Sequence, residues 1–585
     1  MKKRKSMFVR CVALMLVLAL IIALSSDAEK QVRAKTTKAT VSMKSKSVMK
    51  YTLSLAYAEK DKVYYNGKSD IPYFELGSRR KEVEGLQKNS NPTKLSISSK
   101  IKGSKVTWTR TSMYGSTRVI FDYKKNTITF DDKNAFFRQE GLSLVGVESG
   151  IRAVSDIFQS DEKSNYNRHG SRIVINLNKY GIKLLKDKKN FYIPVQTYSD
   201  LFFSNSGIFQ VFNGEDLFIS NNTQLGDMKE KYYSAKKRKF SKELADFNYG
   251  ELCLLYDYQY GLKETHNIKS FDEFFTDTGF AIAIKNQDSI GTDLALYTAI
   301  NLFFDDLHCA FGSQSWNTDL DEFISQIKII PEGSFRTRTL GVNSELTSYR
   351  KKQAPKGIPP YQEVEDTAYI TFDDFGFDPT ADHKVLPTDA DLPTLGNDTI
   401  RLVQYAVNKI TRAGSPIKNV VVDLSLNGGG VVFTAVYLLA AFLGTSSMAS
   451  KDMITGAQSM INYKVDTNLD GVFDEKDTLA NRGLNLFCFT SGFSYSCANM
   501  VPAMFKDSGK VTLVGRTTGG GSCVVSYGST ASGRIVQISS PKRFSFSKNG
   551  GFYDVDRGAE PDVFIKDMSK LYDRKYMNTV LAKID

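Results

Sequence analysis

The stretch "TSGFSYSCANMVP" at residues 490–502 places three serines directly ahead of an apolar run. Ser496 follows the predicted strand "LNLFCFT" and begins the predicted helix "CANMVPAMFKDSG". At a helix start, free N–H groups and the helix dipole favour negative charge, including the oxyanion of an acyl-transfer reaction. A serine there is also an ordinary helix cap. The stretch alone supports a catalytic nucleophile and a structural cap equally.

A second feature is "DLSLNGGG" at residues 423–430. Glycines directly after a buried strand let the backbone approach a ligand closely and present its N–H groups. A permissive turn is the alternative explanation. Three glycines in a row, between a predicted core strand and a predicted helix, favour function.

A nucleophilic serine needs a base, and the chain has four histidines: His169, His266, His308 and His383. His308, in "FFDDLHCAF", ends an apolar helical pattern, where a histidine is often an ordinary core residue. Imidazole is nevertheless the side chain best suited to deprotonate serine near neutral pH.

The segment "DTNLDGVFDEKD" at residues 466–477 has the ligand spacing of an EF-hand loop. Such loops wrap a hard cation with oxygens at alternating positions. The alternative is an acidic turn. The pattern predicts a structural calcium site with these ligands: Asp466, Asn468, Asp470, the Val472 carbonyl, Asp474 and Asp477.

These residues need a scaffold, and strands alternating with helices over residues 367–515 predict a largely parallel sheet. The wider pattern predicts a strand-rich α+β N-terminal domain at 35–225, a helical region at 226–345 that ends in the His308 segment, and an α/β core at 346–585. Two loosely similar pieces, "VYYNGKSDIPYFEL" and "LLKDKKNFYIPVQTYSDLF", suggest a duplication in the N-terminal domain.

Residues 1–34 have the basic start and the apolar run of a secretory signal peptide. They predict a secreted or cell-surface protein. The formal net charge is +13, and removal of this segment leaves about +8, which suits an anionic cell wall. No basic run with interleaved aromatics indicates nucleic acid. Export permits disulfides, and Cys497 with Cys523 is a candidate pair.

Taken together, the motifs resemble the C-terminal processing (tail-specific) serine peptidases and the tricorn core. That family combines D-x-H, N-G-G-G, S-x-S and G-x-x-P-D segments. Here they are "DLH" at 306–308, "NGGG" at 427–430, "SYSCAN" at 494–499 and "GAEPD" at 558–562, in the family order. The resemblance implies a crotonase/ClpP-like α/β catalytic core and a serine endopeptidase.

The resemblance implies Ser496 as nucleophile, with Ser494 as the alternative. Many members use a lysine in a glycine turn, but that position is Gly521 here, so the chain resembles the Ser–His branch with His308 as base. An acidic residue near G-x-x-P-D supports the histidine in that branch, which implies Asp556 or Glu560.

The resemblance also implies an oxyanion site formed by the N–H of Cys497 and one from Gly428 or Gly429. The branch places a serine beside the histidine, whereas Leu307 and Cys309 flank it here. A catalytically degenerate peptide- or wall-binding protein on the same scaffold is therefore the alternative function. No cofactor is expected for catalysis, and the expected partner is a peptide or protein substrate.

Overall fold

The computed structural model describes residues 41–88, 95–138, 151–160, 168–327 and 334–584. The predicted signal segment at 1–34 lies outside the described residues. Within those ranges, no helix combines the length and apolarity needed to cross a membrane.

Two sheets form most of the N-terminal part. One contains strands in the spatial order Leu185–Lys186, Phe191–Pro194, Tyr73–Glu75, Ser54–Asn66, Met43–Thr52, Leu217–Ser220 and Phe209–Phe212. The other is antiparallel and contains Ser96–Lys102, Lys105–Ser112, Gly115–Asp122, Thr127–Phe130 and Ile173–Asn176. Alternating apolar residues such as Val106 and Trp108 are buried against one large aromatic core.

The two similar pieces of the N-terminal part pair with each other. Ile193 lies opposite Phe74, and Pro194 lies opposite Tyr73, in antiparallel strands. Each strand is followed by a helix, Leu76–Gln87 in the first case and Val195–Tyr198 in the second. The two Ile-Pro segments therefore lie side by side in antiparallel orientation.

Helices follow from residue 229 onward, and several begin with a side-chain cap. Ser241, Ser270 and Asp288 each accept a backbone N–H at the start of a helix. The α-helices in this region are Lys229–Tyr233, Lys242–Gln259, Phe271–Asp277, Phe280–Ile284, Ser289–Thr298, Leu320–Gln326 and Phe335–Gln353, and a π-helix spans Ala299–Phe303.

The C-terminal part is built on a mostly parallel sheet. Its order is Tyr361–Val364, Thr367–Thr371, Asn419–Asp423, Asn485–Thr490, Val511–Gly515 and Val563–Phe564, and only the first pair is antiparallel. Helices Thr399–Ile410, Val432–Leu443 and Cys497–Ser508 connect successive parallel strands. Helix Arg574–Leu581 packs on the opposite face through Met577 and Leu581. The carboxyl ends of these parallel strands thus share one edge, where ligands commonly bind in sheets of this kind.

A second sheet connects this core to the rest of the chain. It runs Ala310–Ser313, Ile535–Lys548, Ser446–Asp452, Gln458–Val465 and Phe158–Ser160, with Cys523–Ser529 and Gly551–Tyr553 also paired to Ile535–Lys548. The strand after His308 therefore pairs with a strand near the end of the chain.

Residues 151–160 pack with the core rather than with the N-terminal sheets. Phe158 lies in the same hydrophobic cluster as Tyr437, and their ring centroids are 5.4 Å apart. Strand Phe158–Ser160 pairs with Gln458–Val465. The sequence gives this short piece no distinctive pattern, because its partners lie about 300 residues away.

Candidate active site

Ser496 lies in a sharp turn between strand Asn485–Thr490 and helix Cys497–Ser508. Its backbone has φ 59° and ψ −122°, a conformation that a non-glycine residue adopts only at a cost of about 1–3 kcal/mol. Its N–H donates to Gly520 O at 2.9 Å, which fixes the turn. Ser496 occupies the N-cap position, but its side chain caps no N–H of the helix. A strained serine that does not act as a cap fits a nucleophile better than a structural residue.

Ser494 has a different environment. Its side chain is fully buried, and its hydroxyl donates to Leu424 O at 2.7 Å while accepting the Ser491 N–H at 3.0 Å. Ser496 is half-buried by comparison. The Ser494 hydroxyl therefore fastens the turn to the neighbouring strand end.

The glycine turn packs directly against Ser496. Gly429 has φ 112°, and a Cβ atom there would lie 2.6 Å from Ser496 Cβ and 3.1 Å from Ser496 Oγ. Asn427 holds the turn, because its Oδ1 accepts the Gly429 N–H at 2.8 Å and its Nδ2 donates to Phe372 O at 3.1 Å. The absence of a side chain at 429 is thus what permits the approach of the turn to Ser496.

The backbone N–H groups around Ser496 differ in availability. Gly428 N–H donates to Asp373 O at 3.3 Å, and Gly429 N–H donates to Asn427. By contrast, the N–H groups of Gly430 and Cys497 make no backbone hydrogen bond to any described residue. The two glycine N–H groups predicted from sequence are therefore engaged within the protein, while Cys497 and Gly430 are available.

His308 is brought to the site by the turn that precedes strand Ala310–Ser313. The residue is 8% exposed, and its buried Nδ1 has no hydrogen-bond partner among the described residues. Burial lowers the pKa of His308 below 6.5, and the Asp306 and Asp556 carboxylates act in the opposite direction. The imidazole is therefore neutral at neutral pH, as a general base requires.

His308 does not form a hydrogen bond with Ser496 in the described structure. Its ring instead contacts Tyr495, edge to face, with centroids 4.8 Å apart. Hydrogen bonds between a base and a nucleophile are often long or absent before substrate binds. Tyr495 thus connects the two predicted catalytic residues.

Tyr495 also fills the space beside Gly521. A Cβ atom on Gly521 would lie 2.4 Å from Tyr495 Cζ, so a side chain at 521 and the present position of this ring exclude each other. The hydroxyl of Tyr495 donates to Asp306 Oδ1 at 3.4 Å. No role for Tyr495 was predicted from the sequence, although its place directly before Ser496 was a signal.

The acidic residues near His308 are not equivalent. Asp556 Oδ1 accepts the Ser522 N–H at 3.0 Å and the Ser522 hydroxyl at 3.1 Å, and its charge acts on His308. Glu560 is exposed, and its backbone carbonyl accepts Lys506 Nζ. Of the two predicted acids, Asp556 is the one whose charge acts on His308.

Asp306 is an acid of the site for which no role was predicted, although it begins the D-x-H motif. It is buried, its Oδ1 accepts the backbone N–H of His308 at 2.9 Å, and its Oδ2 accepts the Ser539 hydroxyl at 2.5 Å. It therefore fixes the backbone of the histidine turn to strand Ile535–Lys548.

The predicted disulfide pair is not formed. Cys497 and Cys523 are both free, buried thiols. The Cys497 thiol instead donates to Gly430 O at 3.3 Å. It thereby links the nucleophile helix to the glycine turn.

The predicted calcium loop makes a dense set of internal hydrogen bonds. Asp466 accepts the N–H groups of Leu469 and Gly471, and Asp477 accepts that of Thr467 at 2.7 Å. Burial raises the pKa of Asp477, and the charge of Asp466 adds to this rise. Across the part of the chain that the structure describes, no three His, Cys, Asp or Glu side chains converge as a metal site.

The strained serine at a helix start, the glycine turn and a buried histidine define a serine-peptidase type of site. Residues 366–565 match the model of Peptidase family S41, and this match supports a C-terminal processing serine peptidase of that family. The prediction of a serine peptidase is thereby confirmed. No curated protein matches the sequence.

Solved structures with similarity include a photosystem II D1 C-terminal processing protease, 17% identical, covering 34% of this chain and 42% of that protein, with a TM-score of 0.25. A putative peptidase from Parabacteroides merdae ATCC 43184 is 15% identical, covers 58% of this chain and 97% of that one, and has a TM-score of 0.40. Mature CPAF complexed with lactacystin is 11% identical, covers 56% and 95%, and has a TM-score of 0.36. The assignment rests on the family match.

Proposed function

We propose that this chain is an exported serine endopeptidase that cleaves peptide bonds through an acyl-enzyme on Ser496, with His308 as base. The observation that carries the proposal is the strained Ser496, packed against Gly429 at the start of a helix. The buried neutral imidazole of His308 contacts the ring of Tyr495, the residue directly before Ser496, and this supports the assignment of the base.

In the proposed reaction, Ser496 Oγ attacks the peptide carbonyl while His308 accepts the hydroxyl proton. The N–H groups of Cys497 and Gly430 hold the resulting oxyanion, each worth about 3–4 kcal/mol in the transition state. The tetrahedral intermediate collapses, and His308 gives its proton to the departing amine. Water then attacks the ester with His308 again as base, which releases the acid and restores Ser496.

Asp556 supports the imidazolium in this proposal. Its charge already raises the pKa of His308 against the effect of burial. Asp306 positions the histidine turn through its bonds to His308 and Ser539. The order of parallel strands and crossover helices supports a crotonase/ClpP-like core.

Labelling with a serine-directed fluorophosphonate tests the proposal. Wild type is expected to label, and Ser496→Ala and His308→Ala are expected to abolish labelling while both variants remain folded. Ser494→Cys is the matched control: it keeps a donor to Leu424 and should still label at Ser496. A folded wild type that does not label, with or without calcium, would favour the catalytically degenerate peptide- or wall-binding alternative.

Two further features of the proposal come from sequence. The signal-like segment at 1–34 supports export to the cell surface or medium, and N-terminal sequencing of protein recovered from the medium would test it. The EF-hand spacing of 466–477 supports a structural calcium ion that clamps the loop before the nucleophile strand. A melting temperature that does not change between chelator and millimolar calcium would contradict the second point.

A further inference from the structure

Two adjacent carboxylates follow strand Thr367–Thr371, and they differ in their partners. Asp373 accepts both terminal nitrogens of Arg350, at 2.7 and 2.8 Å. Asp374 is exposed and has no ion-pair partner among the described residues. The neighbouring acid is therefore neutralised within the protein, whereas Asp374 is not.

Asp374 lies at the glycine turn of the active site. A Cβ atom on Gly430 would be 2.5 Å from Asp374 Oδ1, just as one on Gly429 would be 2.6 Å from Ser496 Cβ. Ser496 packs against Gly429, and the Asp374 carboxylate packs against Gly430, the next residue of the same turn. The Cα atoms of these two glycines are only about 3.8 Å apart. The carboxylate is thus within reach of a substrate residue close to the scissile bond.

The surroundings of this carboxylate are unfavourable to its charge. Although the residue as a whole is exposed, the protein atoms around its carboxylate displace part of the water and raise the pKa of Asp374, and only the backbone of Phe375 acts in the opposite direction. The Asp374 charge also adds to the effect of burial, which raises the pKa of the Cys497 thiol to about 12. The field of Asp374 therefore extends to the start of the nucleophile helix.

A negative charge at this place would oppose the oxyanion that the adjacent Gly430 and Cys497 N–H groups are proposed to hold. A substrate that brings a positive charge to Asp374 removes this penalty and gains an ion pair. A neutral or acidic residue at the same place neither removes the penalty nor forms an ion pair. The effect therefore favours cleavage of substrates with a positive charge at this place.

We propose that Asp374 is a specificity-determining residue, which selects peptides with a lysine or arginine side chain next to the scissile bond. The inference rests on the proposed function, because it requires Ser496 to be the nucleophile. It adds a substrate class to that function. A single carboxylate beside the nucleophile, with its neighbour already paired to Arg350, suits one basic side chain.

Fluorophosphonates with a cationic, a neutral or an anionic tail test the proposal through their second-order rates of labelling of Ser496. Wild type is expected to prefer the cationic probe to the neutral one by about tenfold at low salt, and the preference should shrink as salt is added. Asp374→Asn is expected to remove the preference, by slowing the cationic probe and accelerating the anionic probe. Asp374→Lys should reverse it.

Asp373→Asn is the matched control, because it removes a neighbouring carboxylate of the same charge that is already paired. It is expected to keep the cationic preference. Mapping cleavage sites in unfolded β-casein, with wild type and Asp374→Asn, gives a second measurement: basic residues beside the cleaved bond should be enriched only with wild type.

The outcomes separate the two proposals. Labelling of Ser496 at equal rates by all three probes in wild type would overturn the assignment of Asp374 and leave the peptidase mechanism intact. A preference that persists in Asp374→Asn would also overturn it. No labelling by any probe would remove the proposed function and this inference together.

Discussion

The two sides of the proposed active site, named here after the proposed nucleophile and the proposed base, are held in different ways. The nucleophile side belongs to a continuous parallel sheet, where Ser496, Asn427 and Gly429 are fixed by backbone bonds and by close packing at strand ends. On the base side, His308 comes from a turn after the helical region, and its Nδ1 has no partner among the described residues. The position of Ser496 is set by the parallel sheet itself, whereas the position of His308 depends on how the helical region packs against that sheet.

This difference has a physical origin. Parallel strands joined by crossover helices place their carboxyl ends at one edge, so the serine turn and the glycine turn meet whenever the sheet forms. His308 reaches that edge through strand Ala310–Ser313, which pairs with Ile535–Lys548 more than 200 residues later. The nucleophile side should therefore tolerate little change, while the base side should respond gradually to substitutions around it.

The largest effect is expected from Gly429→Ala. The new methyl group would lie 2.6 Å from Ser496 Cβ, at a φ of 112° that disfavours alanine, so the turn must move away from the nucleophile. We expect fluorophosphonate labelling to fall by about 100-fold or more, as when an oxyanion donor is lost. Gly444→Ala is the control, because φ is also positive but the nearest atom is 3.9 Å away. Equal labelling losses in both variants would show that the packing against Ser496 is not the cause.

A smaller loss is expected when Tyr495 is changed. Tyr495→Ala removes the ring that contacts His308 and fills the space at Gly521, so the imidazole gains freedom. Labelling should slow by about tenfold, in keeping with a misplaced base. Tyr495→Phe keeps the ring and loses only the 3.4 Å bond to Asp306, so it should remain close to wild type. If the Phe variant is as slow as the Ala variant, the hydroxyl rather than the ring positions His308.

The pH dependence of labelling examines the base directly. Burial lowers the pKa of His308, so the labelling rate should rise with pH along a limb whose midpoint lies below 6.5. Asp556 raises this pKa, and Asp556→Asn should therefore move the midpoint to lower pH while it slows the plateau by about tenfold or more. Glu560→Gln is the matched control and should leave both unchanged. A shift in the Glu560 variant alone would exchange the roles of the two acids.

Sequence patterns predicted the strand and helix on either side of Ser496, because these elements carry local motifs. The glycine run and the serine at a helix start are visible without any partner. The sequence did not predict which N–H groups remain available. The Gly428 N–H donates to Asp373 O, and the Gly429 N–H donates to the side chain of Asn427. Hydrogen bonds of this kind depend on the exact path of a turn, which residue types do not specify.

The base side illustrates what sequence leaves out. Three features on this side result from long-range packing. The Tyr495 ring fills the space beside Gly521, the same ring contacts His308, and residues 151–160 pack with the core. The sequence shows which residue types are present, but it does not show which of them come into contact in the folded protein. The absence of a lysine at 521 was visible, whereas the aromatic ring that takes up the space was not.

The smallest effect on the active site is expected from a buried acid in the helical region. Glu251 lies on helix Lys242–Gln259, accepts the Thr197 hydroxyl, and has its Oε2 buried without a partner among the described residues. Burial raises its pKa to about 8, against 4.5 ordinarily, and burial raises that of Asp200 as well. A carboxyl whose pKa is higher in the folded state stabilises the fold fully below pH 4.5 and loses that contribution as pH rises through 8.

Thermal melting from pH 5 to 9 should therefore show wild type losing stability towards alkaline pH. Glu251→Gln keeps the acceptor for Thr197 but cannot ionise, so the variant should lose less stability towards alkaline pH. If ionised Glu251 destabilises the fold by about 1 kcal/mol or more, the melting temperature of the variant at pH 9 should be higher than that of wild type by a few degrees. Labelling of Ser496 at pH 7 should change less than twofold. Identical pH profiles for the two proteins would mean that Glu251 is not protonated in the fold. A large loss of labelling in a stable Glu251→Gln variant would instead show that this part of the molecule is coupled to His308 more tightly than the packing implies.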